Sequence, residues 1–218
     1  MIALLPGESR ALFPRLMDEM YGLRLAAAHA HAGRPSGAVH RLAVLDYFDS
    51  LDPLYVLVLD ERECVAGALR LLPTSGVTML NDAFAGAAPD GIRVESPLIW
   101  EASRLTLRAA GDFRAADVAI DRTIGQLGVA LNAIAQTAAL THVIGVFDES
   151  IHRLLSLRGC AGETLATQMR IDGADMFAVL YEVGAAMDAP FKGLAGDATA
   201  PPINLADLER LRQTGCRS

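Results

Sequence analysis

The chain has 218 residues, of which 52% are hydrophobic and 21% charged, and its formal net charge is −7. This composition excludes disordered, collagen-like and coiled-coil proteins, since a disordered chain combines low hydrophobicity with high charge. The acidic balance also argues against a nucleic-acid-binding protein, which needs a basic face to displace phosphate counterions. These figures predict an acidic globular protein of one domain.

The sequence carries no pattern typical of metal binding, secretion or membrane insertion. Cys64, Cys160 and Cys216 are widely spaced and form no CxxC pair, so no metal site is predicted. The N-terminus does not resemble a secretory leader, which predicts a reduced, cytoplasmic protein. Residues 123–147 lack Asp, Glu, Lys and Arg, but polar residues such as Asn132 and a helical apolar spacing predict a buried helix and strand instead of a membrane span.

The predicted elements alternate between helices and strands along the chain. Apolar residues at helical spacing predict a first helix from about Ser9 or Phe13 to Ala30. A long core helix precedes residue 141, and a short helix follows over about 149–157. Aliphatic and β-branched runs predict strands over residues 54–59, 64–72, 98–107, 141–147, 164–171 and 176–183. This order predicts an α/β (α+β) fold with a single mixed sheet flanked by helices.

The chain is predicted to divide near its C-terminal end. Residues 1–192 form the predicted domain, and residues 193–218 a linker with a short helix that Asn204 caps. The linker prediction rests on the composition of residues 193–202, which is rich in Gly, Ala and Pro.

Charged residues stand inside otherwise apolar segments. Asp46 and Asp49 flank an aromatic pair, Arg70 lies within a predicted strand, and Glu101 and Arg104 lie within another. A charge in the middle of a strand is costly to bury unless it is paired. Either each charge lies on the solvent face of its strand, or the charges converge and pair. Spacing alone leaves both interpretations open.

A geometric condition applies to the strand over residues 98–107. Side chains alternate along a regular strand, so Glu101 and Arg104 point to opposite faces of the sheet. They share one cleft only if the strand carries a β-bulge between them. A converging charge cluster therefore predicts a bulged central strand.

Short motifs follow one another between residues 46 and 104. They are Asp46-x-x-Asp49, Tyr55-x-x-x-x-Asp60, Gly67-Ala-Leu-Arg70-Leu-Leu-Pro-Thr74, Met79-Leu80-x-x-x-Phe84 and Trp100-Glu101-Ala-Ser103-Arg104. Over about residues 20 to 107 they resemble the acyl-homoserine-lactone synthase (autoinducer synthase) family, and Arg24 lies where that family has an arginine on its first helix. The chain departs from the family pattern at Ala28, around Arg34-Pro35 and at Val44.

The resemblance implies a GNAT-like acyltransferase fold and a two-substrate reaction. In that family S-adenosylmethionine supplies the amine and the lactone ring, and an acyl-carrier protein or coenzyme A thioester supplies the acyl group. The product is an N-acyl-L-homoserine lactone, which acts as a quorum-sensing signal. No tightly bound cofactor is implied.

The reaction accounts for the residue types in the motifs. A carboxylate can accept the proton that the amine loses, and Glu101 is the first candidate. Asp46 and Asp49 favour a sulfonium cation, and arginines suit a carboxylate because a guanidinium binds it bidentately. The candidate catalytic residues are Glu101, Asp46 and Arg104. The candidate substrate-binding residues are Arg24, Asp49, Arg70, Phe84, Trp100, Ser103, Thr141 and Val143.

The acyl donor is predicted from weaker signals. No glycine-rich pyrophosphate loop follows Leu107, which favours an acyl-carrier protein over coenzyme A. Such carriers are acidic and need a basic patch, for which His152, Arg153 and Arg158 are candidates. On spacing alone a solvated helix face explains these three residues better. Likewise, Thr141 and Val143 either line an acyl pocket or fill the core.

Two alternative functions stay open at this point. One is a GNAT-like N-acyltransferase with a different amine acceptor, which the departures from the family pattern favour. The other is a non-catalytic ligand-binding relative. The density of charged residues in the motifs argues against the second alternative, because a scaffold without catalysis has no need of them.

Overall fold

The computed structural model of the chain describes residues 1–32, 46–83, 93–108, 113–171 and 174–196. The strands are β1 (Ile2–Pro6), β2 (Leu54–Leu59), β3 (Val65–Pro73), β4 (Ile99–Leu107), β5 (His142–Asp148), β6 (Glu163–Ile171) and β7 (Ala174–Glu182). The helices are α1 (Pro14–Ala32), α2 (Phe113–Thr137), α3 (Glu149–Leu157) and α4 (Ala185–Ala195). Two 3-10 turns span Gly7–Leu12 and Tyr47–Leu51, and a π-helical turn spans Met79–Ala83.

The strands form a single mixed sheet of seven strands in the order β1-β2-β3-β4-β5-β7-β6. Neighbouring strands are antiparallel except β4 and β5, which run parallel across the centre. This sheet confirms the predicted fold class. The predictions omitted β1, which is only five residues long and ends in a proline.

Helices cover both faces of the sheet. On one face, called here the α1 face, Leu16 and Met20 of α1 pack with Tyr55 and Leu57 of β2. On the other, the α2 face, residues of α2, α3 and α4 pack against strand residues such as Val143. Burial of apolar area at roughly 25 cal/mol per Å² makes these two cores the main source of stability. Among the described residues no helix is long and apolar enough to cross a membrane.

Strand β4 carries the predicted bulge. Its pairing with β3 shifts between Ala68, opposite Thr106, and Arg70, opposite Ser103. One extra residue of β4 is therefore accommodated, and Arg104 adopts a φ of 58°, in the left-handed region. The extra residue reverses the alternation, so that Ser103 and Arg104 both contact groups on the α1 face.

The predicted domain ends at residue 192, which lies inside helix α4. The helix continues to Ala195, and Phe191 and Ala195 are buried, so residues 193–195 belong to the folded core and not to a linker. The predicted helix capped by Asn204 lies outside the described residues.

Close contact between α2 and α4 depends on glycine in α2. A Cβ atom added to Gly125 would lie 2.2 Å from the backbone nitrogen of Ala195. No side chain fits this space unless the two helices move apart.

We expect Gly125→Ala to lower the free energy of unfolding by about 2–3 kcal/mol, because α4 must shift to admit the methyl group. The matched control is Gly193→Ala on the exposed face of α4, where an added Cβ meets nothing within 4 Å. Alanine is the better helix former, so the control should leave stability unchanged or raise it by up to about 1 kcal/mol. Urea denaturation measures both, and equal effects of the two substitutions would contradict the packing argument.

Candidate active site

Asp46 and Asp49 cap the 3-10 turn that follows α1 in the described chain. The Asp49 backbone N–H donates to Asp46 Oδ1 at 3.2 Å, and the Asp46 backbone N–H donates to Asp49 Oδ2 at 3.0 Å. This reciprocal arrangement is a capping box. It fixes both carboxylates above β3, where they face the arginines of the site.

Asp49 is the buried acceptor of the cluster. Its Oδ2 accepts a hydrogen bond from Arg24 Nη1 at 2.8 Å, and its Oδ1 accepts from the Tyr55 hydroxyl at 2.9 Å. Arg70 Nη1 lies 3.3 Å from the same Oδ1. Burial and the charge of Asp49 raise the pKa of Tyr55, so this hydroxyl stays protonated and donates. One carboxylate thus joins α1, β2 and β3.

Arg70 is fully buried at the centre of the cluster. Its Nη1 donates to Asp46 Oδ1, and its Nε and Nη2 both lie 3.3 Å from the hydroxyl of Ser103. Its guanidinium also lies over the ring of Phe48, 5.4 Å from the centroid. Burial opposes the charge, but Asp46 and Asp49 outweigh it and raise the pKa of Arg70.

Asp46 and Arg104 form the part of the cluster that reaches solvent. Arg104 Nε and Nη2 lie 2.9 and 2.7 Å from Asp46 Oδ2, and the two side chains are 30% and 14% exposed. Burial raises the pKa of the Asp46 carboxyl, but the charges of Arg70 and Arg104 outweigh it and bring the pKa down to about 2. A ligand that enters from solvent therefore meets this ion pair first.

Glu101 is a buried carboxylate on the same face of β4 as Ser103. Its two oxygens accept the backbone N–H groups of Leu80 at 2.7 Å and Met79 at 3.3 Å. These donors come from the π-helical turn over residues 79–83. Burial raises the pKa of Glu101 above its ordinary value of 4.5, while the amide donors and Arg70 oppose this shift. A carboxylate with a raised pKa is suited to accept a proton near neutral pH.

The structure brings together most of the residues predicted for the site, but not all. Trp100 is half-buried and packs against the core of the α2 face, and Val143 is fully buried in that core. Thr141 lies exposed at the start of β5, where its hydroxyl donates to the Leu98 carbonyl at 3.3 Å. Neither Thr141 nor Val143 contacts the charge cluster, and Phe84 lies outside the described residues.

Sequence reasoning missed contributors that have no charge. Tyr55 occurs in one of the motifs, yet only its depth on the α1 face shows that its hydroxyl reaches Asp49. The Met79 and Leu80 contributions come from backbone groups, which leave no trace in side-chain patterns. Phe48 directly precedes Asp49 in the sequence, and this position is the one sequence signal that the Phe48 ring lies near Arg70.

The cluster is balanced in charge and suits a ligand that carries both signs. Its members are the cations Arg24, Arg70 and Arg104 and the anions Asp46, Asp49 and Glu101. A buried network of this kind is stable only when every charge is compensated. Within the described part of the chain, no group of three His, Cys, Asp or Glu side chains is arranged to hold a metal ion.

The seven-stranded mixed sheet with helices on both faces is a fold that this chain shares with solved structures described as acyltransferases. Two solved structures show this. One is the acyl-homoserine-lactone synthase LasI, with a TM-score of 0.71 at 20% identity. The alignment covers 88% of this chain and 94% of LasI. A putative N-acetyltransferase from Lactobacillus plantarum, with a TM-score of 0.53 at 16% identity, covers 84% of this chain and 99% of its own. At these identities the likeness concerns the fold.

Sequence comparison identifies the family. Residues 15–187 match the autoinducer synthase family, and the chain belongs to it. An acyl-homoserine-lactone synthase of Rhizobium etli is 31% identical over 136 residues, which are 62% of this chain and 62% of that relative. One of Acinetobacter nosocomialis is 31% identical over 145 residues, 64% of this chain and 77% of the relative. The match thus spans less than two thirds of the first relative and about three quarters of the second.

The low pKa of Asp46 predicts how stability depends on pH. A carboxyl whose pKa falls from 3.8 to about 2 on folding stabilises the protein by about 2 kcal/mol above pH 4. This contribution disappears as the pH falls through 2. Asp46→Asn keeps the cap but not the charge, so we expect about 2 kcal/mol less stability at pH 7 and a smaller loss of stability between pH 4 and pH 2.

Urea denaturation at both ends of this pH range measures the effect. The control is Asp52→Asn, which removes an exposed charge paired with Arg10 and retains a residue type that tolerates its left-handed φ of 49°. Exposed pairs contribute little, so this control should change stability by less than about 0.5 kcal/mol. The pKa assignment fails if Asp46→Asn shows the same acid dependence as the unsubstituted protein.

Proposed function

We propose that this chain is an acyl-homoserine-lactone synthase that uses S-adenosylmethionine and an acyl thioester. The observation that carries the proposal is Glu101, a buried carboxylate with a raised pKa beside a charge-balanced cluster that reaches solvent at Asp46 and Arg104. The family match supports the same activity. Solved relatives include a CoA-dependent synthase described with S-adenosylmethionine and isopentyl-CoA.

The acylation step needs a base for the substrate amine. Glu101, acting directly or through one water, accepts a proton from the α-ammonium group, and the amine nitrogen attacks the thioester carbonyl carbon. The new N–C bond replaces the C–S bond, and the thiol carrier leaves with one proton. Because the amide donors of Met79 and Leu80 hold both oxygens of Glu101, the carboxylate is fixed in place before substrate arrives.

The lactonisation step needs positioning more than acid–base chemistry. The substrate carboxylate attacks the carbon next to the sulfonium, so that a C–O bond forms as the C–S bond breaks and methylthioadenosine leaves. An arginine that binds the carboxylate and an aspartate near the sulfonium would fix the reacting atoms. We assign the first role to Arg104 and the second to Asp46, since these are the most exposed charges of the cluster.

We propose that the buried residues Arg24, Asp49, Arg70 and Ser103 act as positioning residues. They have little or no exposed surface and contact Asp46 or one another. Their function is to hold the exposed pair in one geometry, which preorganises the site for a charged substrate.

Glu101→Gln tests the proposed base. Glutamine keeps the size of the side chain and one of its two acceptor oxygens, but it cannot take a proton. We expect at least a 100-fold loss of kcat, measured as methylthioadenosine and lactone release from S-adenosylmethionine and a panel of acyl thioesters. Since burial raises the pKa of Glu101, the acid limb of the kcat/KM profile should lie above pH 4.5 and be absent from this variant.

The control is Glu95→Gln, which alters an exposed glutamate paired with Arg93 and should retain full activity. If other amines accept the acyl group, so that the donor releases its thiol and no methylthioadenosine forms, the chain is an N-acyltransferase with another acceptor. If the unsubstituted chain binds S-adenosylmethionine or an acyl thioester but turns neither over, it is a non-catalytic relative and the proposal is wrong.

The acyl carrier is proposed to be an acyl-carrier protein that docks near α3. Of the predicted basic patch, Arg158 is neutralised by Asp121 and Asp117 of α2, and His152 stacks on Phe177 at 4.2 Å. Arg153 is exposed and is therefore the cation of α3 that can meet an acidic partner. Arg153 would then raise the rate at which the carrier associates with this chain, because charges at the rim of an interface mainly alter association rates.

We expect Arg153→Glu to lower kcat/KM for an acyl-carrier-protein donor about tenfold, with no change for an acyl-pantetheine donor that lacks the carrier. Steady-state kinetics at low ionic strength measure this difference. Arg62→Glu, in the exposed turn between β2 and β3, changes the net charge equally and serves as the control. Equal loss in both variants, or a higher kcat/KM with acyl-coenzyme A, would contradict the docking proposal.

A further inference from the structure

An exposed aromatic ring lies beside the part of the charge cluster that reaches solvent. Tyr47 directly follows Asp46 at the start of the capped 3-10 turn, and it is 64% exposed. Six large hydrophobic residues of the described chain are exposed, and Tyr47 is the one aromatic among them. A single exposed hydrophobic residue is common on protein surfaces. The informative feature of Tyr47 is its place next to a charge that a ligand meets first.

Contacts with neighbouring residues hold the Tyr47 ring at the outer end of the cluster. The ring packs edge to face on Phe48, with 5.7 Å between the centroids and 67° between the planes. The Phe48 ring in turn lies 5.4 Å from the guanidinium carbon of Arg70. The Ser50 hydroxyl donates to the Tyr47 carbonyl at 2.6 Å and closes the turn. A row of contacts therefore leads from a buried cation of the cluster to an aromatic ring in solvent.

The substrate of the proposed function has an aromatic part that the charge cluster does not account for. S-adenosylmethionine carries its amine and carboxylate at one end, its sulfonium in the middle and a planar adenine at the other end. The proposed function assigns the carboxylate to Arg104 and the sulfonium to Asp46. Tyr47 is the next residue along the chain after Asp46, so an exposed aromatic ring adjoins the group assigned to the sulfonium.

We infer that Tyr47 stacks on the adenine of S-adenosylmethionine and selects a sulfonium substrate that carries an adenosyl group. The inference rests on the proposed function, since it assigns another part of the same substrate. Stacking of a base on an aromatic side chain changes affinity by a factor of about 5 to 150. Tyrosine suits a half-open site of this kind, because its ring is apolar and its hydroxyl remains in water.

Methylthioadenosine is the probe for this contact, because it carries the adenosyl group and lacks the amino-acid end. Isothermal titration calorimetry measures its Kd. Tyr47→Ala should raise this Kd about fivefold or more, and Tyr47→Leu should do the same because leucine has bulk but no aromatic face. Tyr47→Phe keeps the ring and should bind within about twofold of the unsubstituted chain. Tyr47 is exposed, so these substitutions leave the fold intact.

S-methylmethionine separates stacking from a disturbed charge cluster. It has the amine, carboxylate and sulfonium of the substrate but no adenosine. Its inhibition constant against S-adenosylmethionine should stay within about twofold in every Tyr47 variant, because the charges that bind it are unchanged. In the same assay Tyr47→Ala should lower kcat/KM for S-adenosylmethionine about fivefold or more.

Leu157→Ala is the matched control, since it truncates a hydrophobic residue of α3 that is 74% exposed. It should leave the Kd of methylthioadenosine unchanged. Unaltered binding of methylthioadenosine by Tyr47→Ala, or an equal loss of S-methylmethionine binding, would overturn the inference and leave the proposed function intact. If the unsubstituted chain binds neither S-adenosylmethionine nor methylthioadenosine, the proposed function itself fails.

Discussion

Burial of the Arg70 guanidinium is the constraint on which the rest of the site depends. A cation without exposed surface is stable only if carboxylates and hydrogen-bond acceptors surround it, because an uncompensated buried charge is strongly destabilising. Arg70 therefore requires Asp46 and Asp49 above β3 and the Ser103 hydroxyl beside it on β4. One side chain thus fixes the position of the capped 3-10 turn and of the neighbouring strand.

The bulge in β4 extends this arrangement to the edge of the cluster. Without the extra residue, Arg104 would point to the α2 face, into an apolar core, at a high desolvation cost. With it, the two oxygens of Asp46 are shared between Arg70 of β3 and Arg104 of β4. The left-handed φ of Arg104 is unfavourable for a residue with a Cβ, and its ion pair with Asp46 offsets that cost.

The charges and the central strands could be predicted from the sequence because both leave strong local signals. A charged residue inside an apolar run demands a partner, and alternation then demands the bulge between Glu101 and Arg104. Helix α4 gave no such signal, because Pro190 and Gly193 interrupt its pattern although tertiary packing keeps it helical. The pairing of Arg158 with Asp121 joins residues 37 positions apart and is visible only in the fold.

The two faces of the sheet differ in the side chains that they carry. The charge cluster lies on the α1 face, and the larger apolar core lies on the α2 face. Distant sites without shared partners respond to substitution almost independently. Apolar residues of the α2 face can therefore be exchanged over evolution while the charge cluster on the α1 face keeps its geometry.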